Sequence, residues 1–205
     1  MSAPTDLWLV RHGHALHHET GQLQWDGVPL SEEGRAQAGR LAERFRDLQG
    51  VAALYSSPQL RAWDTARPIG AALGLEPIPC PGLREVDFGL AGGLTIAEFR
   101  ERWPEAYRQW ENRDDDHFRF PGGESRAEFH RRAVETMDRL VRMHASQRIV
   151  VVGHTGSLCC YLAHLFAGDA GRWHDFVVRP ASVTRLEVGD GGAVFILRND
   201  VSHLE

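Results

Sequence analysis

Two short apolar runs end in the same way, and that repetition constrains the fold more than any other feature of the chain. Leu7, Trp8, Leu9 and Val10 run into Arg11, His12 and Gly13. Ile149, Val150, Val151 and Val152 run into Gly153, His154, Thr155 and Gly156. Each run is rich in strand formers and too short for a buried helix. A strand covered on both faces cannot carry an arginine or a histidine mid-length without partners, because burying an unpaired polar group is costly. At the strand's C-terminal end the same side chains can project into the crevice where open α/β sheets bind ligands. Gly13 lets the backbone turn there and approach a ligand closely. The two runs therefore predict two strands that bring two imidazoles to one edge of one sheet.

The rest of the chain supplies the other layers. Residues 16–30 are polar and turn-rich and read as a loop over the site. Ser31 is placed to cap a helix running through Gln49, with acids in its first turn and Gly50 stopping it. Val51 to Tyr55 reads as a strand, Gln59 to Leu73 as a helix ended by Gly74, and Glu76 to Pro79 as a short extended piece. Residues 90–123 read as a helical lobe. Thr95 caps a helix to Trp103, and Pro104 opens another through Trp110. Asn112 to His117 is a charged loop in which Asp114, Asp115 and Asp116 are solvated. Ser125 and Glu128 form a capping box ahead of a helix from Ala127 to about Ala145. A helix from Ser157 to Phe166 follows the second apolar run. Ser182 to Val188 and Ala193 to Arg198 pair as a hairpin through the turn Gly189 to Gly192. Strands alternating with helices predict a three-layer α/β/α sandwich, with a mostly parallel sheet and at least one antiparallel strand. Residues 1–205 are expected to form a single domain, with the 90–123 lobe over the site.

Composition narrows the partners. The formal net charge of −5 gives no reason to expect nucleic acid. No apolar run reaches membrane-spanning length, so no membrane partner is expected. The start, MSAPTDLW, has no basic or long apolar leader segment. Cys80, Cys159 and Cys160 make no even framework, and free thiols point to a reducing, cytoplasmic setting. A homodimer is left open.

The residues at or beyond strand ends are Arg11, His12, Arg61, Glu85 and His154. Two guanidiniums and an imidazole make an anion pocket, and the arginine fork matches phosphate oxygens. Arg61 also lies near a helix N-terminus, whose dipole favours an anion. Phosphoryl transfer needs a nucleophile, charge stabilisation for the equatorial oxygens and an acid for the leaving group. A neutral imidazole can be that nucleophile when its other nitrogen donates to a main-chain carbonyl. A carboxylic acid such as Glu85 can protonate the leaving alcohol and afterwards take a proton from water.

The chain resembles the histidine phosphatase superfamily, which includes the cofactor-dependent phosphoglycerate mutases. The matching pieces are LVRHG at 9–13, PLSEEG at 29–34, SSPQLRAWDTA at 56–66, LREVDFG at 83–89, PGGES at 121–125 and VVGHTG at 151–156. By that resemblance the fold is phosphoglycerate mutase-like and His12 is the residue phosphorylated. Arg11, Arg61 and His154 hold the phosphoryl group, Glu85 is the proton donor, and no metal or other cofactor is used. His18, Gln24 and Thr155 fall at positions expected to contact substrate, although the family often has Asn where this chain has His18. Ala91-Gly92-Gly93 replaces a frequent Trp-Glu-Gly. The short 90–123 segment favours the phosphatase branch.

The expected activity is a metal-independent phosphomonoesterase acting on small phosphorylated metabolites and releasing inorganic phosphate. A phosphoglycerate mutase and an α-ribazole phosphatase are the enzymatic alternatives. A phospho-ligand-binding module is the non-catalytic one. His14, His17 and His18 crowd next to His12 and are expected at the rim rather than on a metal. Trp25, Trp103, Trp110 and Trp173 are expected mainly to pack.

Overall fold

The computed structural model describes residues 3–112 and 115–205. Asp114 lies outside the described residues. Six strands form one mixed sheet in the order β3-β2-β4-β1-β5-β6. These are β1 (Thr5–Arg11), β2 (Val51–Ser56), β3 (Ile78–Pro79), β4 (Arg148–Gly153), β5 (Val183–Gly189) and β6 (Gly192–Asp200). The first four run parallel to one another, β5 runs antiparallel to β1, and β6 runs antiparallel to β5 at the sheet edge. The expected hairpin is present, with Gly189 paired to Gly192.

Side chains alternate between the two faces of the sheet, and both faces are covered. Leu7, Leu9, Ile149 and Val151 pack against α5 (Arg126–Met143) and α6 (Thr155–Ala167). Val10, Leu54, Val150 and Val152 pack against α1 (Glu32–Phe45) and α2 (Leu60–Leu73). Burial on both faces is why the strands read as continuous apolar runs.

The lobe has a core of its own. The two short helices α3 (Ile96–Arg102) and α4 (Pro104–Glu111) bring Phe99, Trp103, Tyr107 and Trp110 together with Phe118 and Phe120. Thr95 caps α3 through a full capping box with Glu98, and Ser125 caps α5 in the same way with Glu128. Arg126 donates to the main-chain oxygens of Trp110, Asn112 and Asp115, which ties the end of α4 to the start of α5.

Several helix boundaries shift by one or more residues from the sequence expectation, and hydrogen bonds account for two of the shifts. α1 ends at Phe45 rather than Gln49, because the amides of Arg46 and Leu48 bond three residues back to Glu43 and Phe45. Gly50 then takes a left-handed φ of 72° in the turn to β2. α6 begins at Thr155 rather than Ser157. The side chain of Glu85 accepts from the Gly156 amide at 2.9 Å and so satisfies a helix-start donor that has no partner within the helix.

Candidate active site

Strand register places the two histidines. Arg11 pairs with Gly153 across β1 and β4, so His12 and His154 leave adjacent strands at the same level. Their ring centroids are 5.0 Å apart. On the other side of β4, Ser56 pairs with Val152, which brings Ser57 to the same edge.

The His12 ring is held by its own loop. Its Nδ1 lies 2.7 Å from the main-chain oxygen of Gly13. A carbonyl only accepts, so Nδ1 carries the proton and Nε2 keeps its lone pair. Burial is the largest influence on this ring, and Arg61 and Arg11 add to it; together they hold its pKa well below 6.5. The nucleophile-competent neutral form is therefore the resting one.

Two guanidiniums face this imidazole. Arg61 is 1% exposed and donates to the main-chain oxygen of Trp25 at 2.9 Å. Arg11 donates to that of Val178 at 2.7 Å. In both, Nε is buried without a hydrogen-bond partner among the described residues. Two cations left short of acceptors make an anion site, since an unmet charged donor is expensive to bury. Burial lowers the Arg61 pKa to about 10, a shift opposed by Glu85 and Asp26, and the group remains charged at neutral pH.

Arg11, His12, Arg61, His18, Gln24, Glu85 and Thr155 line one cavity of about 170 Å³. His154 does not open onto it; the ring is fully buried behind His12. Its Nε2 lies 2.8 Å from Ser57 Oγ, and its Nδ1 has no partner among the described residues. Ser57 Oγ already accepts from the Gln59 amide, so its proton is available to His154 Nε2. That arrangement leaves Nδ1–H as the ring's remaining donor.

His18 sits at the pocket wall. Its Nδ1 accepts from the Ala15 amide and its Nε2 lies 3.4 Å from Arg11. Burial, then Arg11, His14 and Arg61, lowers its pKa to about 4. His14 instead meets Ser31 Oγ at 2.9 Å, and His17 stacks on Trp25. The crowded histidines thus turn to separate partners rather than to a common centre.

The lowered histidines make a pH prediction. His12, His154 and His18 all bind a proton less readily in the folded chain than at their ordinary pKa of 6.5. Below pH 6.5 the unfolded state holds the extra protons, so stability rises with pH across this window and is fully present above it. The urea midpoint is expected to fall between pH 7 and pH 5, and His18→Asn to flatten that fall. A midpoint that holds or rises on acidification would contradict the assignment.

Glu85 is positioned by groups that sequence reasoning did not single out. Its amide donates to Gln59 Oε1 at 2.8 Å, and Gln59 also donates to Asp26. Arg132, on α5, donates to the main-chain oxygens of Gly82, Arg84 and Glu85 and pairs with Glu124 at 2.6 Å. Thr65 accepts from the Gly13 amide and donates to the main-chain oxygen of Arg61, linking the His12 loop to α2. Ser57, Gln59 and Thr65 lie in the SSPQLRAWDTA stretch, which was their only signal. Arg132 had none beyond its place on an amphipathic helix.

Gly156 has a specific requirement. A Cβ there would stand 2.2 Å from Glu85 Oε1 and 2.8 Å from the Phe129 ring. Gly156→Ala is therefore expected to push the carboxyl out of place and lower kcat at least about tenfold, since small misplacements of reacting groups are costly. Turnover kinetics check this; an unchanged kcat would show that the Glu85 position does not matter.

The buried thiols Cys159 and Cys160 are raised in pKa, chiefly by burial, Cys159 to about 12. They take no part in the pocket. Among the described residues, no helix is long and apolar enough to cross a membrane. Of the tryptophans, Trp110 and Trp173 line a second cavity next to the first, rather than only packing.

Similarity to known proteins extends over nearly the whole chain. A family model described as histidine phosphatase superfamily (branch 1) matches residues 7–201. The chain is 34% identical over 203 residues to a bifunctional protein of Mycobacterium tuberculosis, covering 98% of this chain and 55% of that protein. It thus spans about half the length of that relative. It is 31% identical over 199 residues to phosphoserine phosphatase 1 of Hydrogenobacter thermophilus, covering 97% of this chain and 93% of the relative. Among solved structures, the α-ribazole phosphatase of Shigella flexneri has a TM-score of 0.86 at 27% identity, covering 95% of this chain and 96% of the other. Motif order, fold and matched length converge, and the chain belongs to the histidine phosphatase superfamily, branch 1.

Proposed function

We propose that this chain is a metal-independent phosphomonoesterase that hydrolyses small phosphorylated metabolites through a phosphohistidine at His12. The observation that carries the reading is the fixed tautomer. The Gly13 carbonyl holds the proton on Nδ1, so Nε2 is the lone pair in a pocket shared with two guanidiniums and a carboxyl group. Membership of this superfamily supports a phosphatase.

In the first step Nε2 of His12 attacks phosphorus. A P–N bond forms as the P–O ester bond breaks, and protonated Glu85 gives its proton to the departing oxygen. Arg11 and Arg61 neutralise the equatorial oxygens, and His154 stands behind the His12 ring and backs its position. Thr155, Gln24 and His18 contact the substrate at the rim. In the second step the Glu85 carboxylate takes a proton from water, and the water oxygen displaces the imidazole. Inorganic phosphate leaves, and the starting protonation states are restored.

A turnover assay in excess chelator tests this reading, with a phosphomonoester panel run beside 3-phosphoglycerate and a bisphosphate primer. Phosphate release unaffected by the chelator, and exceeding isomerisation, is the expected result. Loss of activity with chelator, isomerisation above hydrolysis, or binding without turnover would each overturn it.

A further inference from the structure

The phosphate pocket opens into a second and larger cavity, of about 710 Å³, beneath the lobe. The two share Gln22, Leu23, Glu85, Phe88 and Thr155. Glu85, the group assigned above to protonate the leaving oxygen, therefore stands at the junction. Whatever is attached to that oxygen extends into the larger space.

The wall of that space is mainly aromatic. Tyr107 and Trp110 come from α4, Phe118 and Phe120 from the segment after it, Phe129 from α5, and Trp173 from the turn of 3₁₀ helix that follows α6. Among the described residues Arg126 is the one guanidinium in the wall, which also carries Glu111, His130 and His174. It already donates to three main-chain oxygens, and it lies 5.5 Å from the Phe118 ring centroid. His130, also in the wall, has its pKa lowered mainly by burial and so is neutral at pH 7. A carboxylate entering here would lose its water without gaining a committed cation. A serine or glyceric acid fragment would also leave most of the volume unfilled. Cavities of this size with mostly apolar, aromatic walls and a minority of polar groups suit larger and mostly apolar ligands.

We infer that the preferred substrate is a phosphomonoester whose alcohol carries an uncharged aromatic or heteroaromatic group, with the ring seated among Trp110, Phe118, Phe129 and Trp173. This rests on the phosphomonoesterase reading for the chemistry and adds the class of leaving group. The aromatic wall binds the ring face by stacking and edge contacts, while Arg11 and Arg61 fix the phosphoryl end. The remote group thereby holds the ester oxygen against Glu85.

The test uses esters of matched leaving ability: 2-(2-naphthyl)ethyl phosphate, propyl phosphate and phosphoserine. The naphthylethyl ester is expected to have a kcat/KM about 100-fold above the other two, in line with burial of one aromatic group. Ile96 lines the cavity and is 41% exposed, so a larger side chain there fills the space without disturbing the core. Ile96→Trp is expected to lower the naphthylethyl value about tenfold and leave propyl phosphate unchanged. Phosphoserine turned over as well as the naphthyl ester would overturn the inference. Calorimetry with the corresponding phosphonates separates recognition from chemistry. The naphthylethyl phosphonate is expected to bind about 100-fold more tightly than propylphosphonate. Equal affinities would sink the inference whether or not the protein is a phosphatase; a clear preference without hydrolysis would sink the phosphatase reading alone.

Discussion

His12→Ala protein is expected to lose phosphate-ester turnover by on the order of 10⁴-fold or more, because it removes the imidazole whose Nε2 lone pair is proposed to attack phosphorus. The loss should fall on kcat. Arg11 and Arg61 keep their contacts to the main-chain oxygens of Val178 and Trp25 in the variant, so the anion site survives. Inorganic phosphate should therefore still raise its melting temperature, by mass action on the folded state. The ring is 3% exposed, so the substitution also leaves a small cavity, and the phosphate response distinguishes a folded, inert protein from an unfolded one. Turnover near the starting value would remove His12 from the mechanism. Loss of both turnover and the phosphate response would show that the ring's main role is structural.

Glu85→Gln separates the acid from the rest of the site. The amide oxygen can still accept from Gly156, so the side chain keeps its anchor while losing the proton it would donate. For an alkyl phosphate, whose alkoxide leaves poorly, kcat is expected to drop by ~10² to 10⁴-fold. For p-nitrophenyl phosphate, which releases a stable phenolate, the first step needs little acid help, and the drop in its initial burst should be within about tenfold. Equal losses on both esters would mean that Glu85 acts on the phosphoryl group or on folding rather than on the leaving oxygen.

What the sequence showed, and what it hid, follows from the range of the interactions involved. Local signals were legible. The cap at Thr95, the capping box at Ser125, Gly74 ending α2, and the apolar runs of β1 and β4 all act within a few residues. So was the presence of a histidine beyond each strand, although only the Arg11–Gly153 register brings the two rings to one level. The start of α6 was misjudged because Thr155 and Gly156 are poor helix formers. The carboxyl that satisfies the Gly156 amide comes from Glu85, far away in the chain. Arg132 was invisible for the same reason: a helix pattern reads it as a solvated charge, yet it gathers three main-chain oxygens around Glu85. The aromatic cavity was the least legible feature. Tryptophans and phenylalanines that pack a lobe and those that line a hollow have the same sequence spacing, and only the packing of α4, α5 and the segment around Trp173 tells them apart.

In the proposed reaction, the pocket's charge would let the imidazole act without a neighbouring base. Burial and two guanidiniums hold His12 neutral, so it needs no deprotonation before attack. The same cations that keep it neutral are those that would receive the phosphoryl oxygens, so one arrangement prepares the nucleophile and stabilises the charge that develops.

The most direct test of the account is a rapid acid-free quench of the enzyme during turnover of a ³²P-labelled phosphomonoester, followed by peptide mapping. The account predicts label that is stable to base, lost in acid, and carried by the peptide containing His12, with none in His12→Ala protein. Label on another residue, or full hydrolysis with no labelled protein at any quench time, would contradict it.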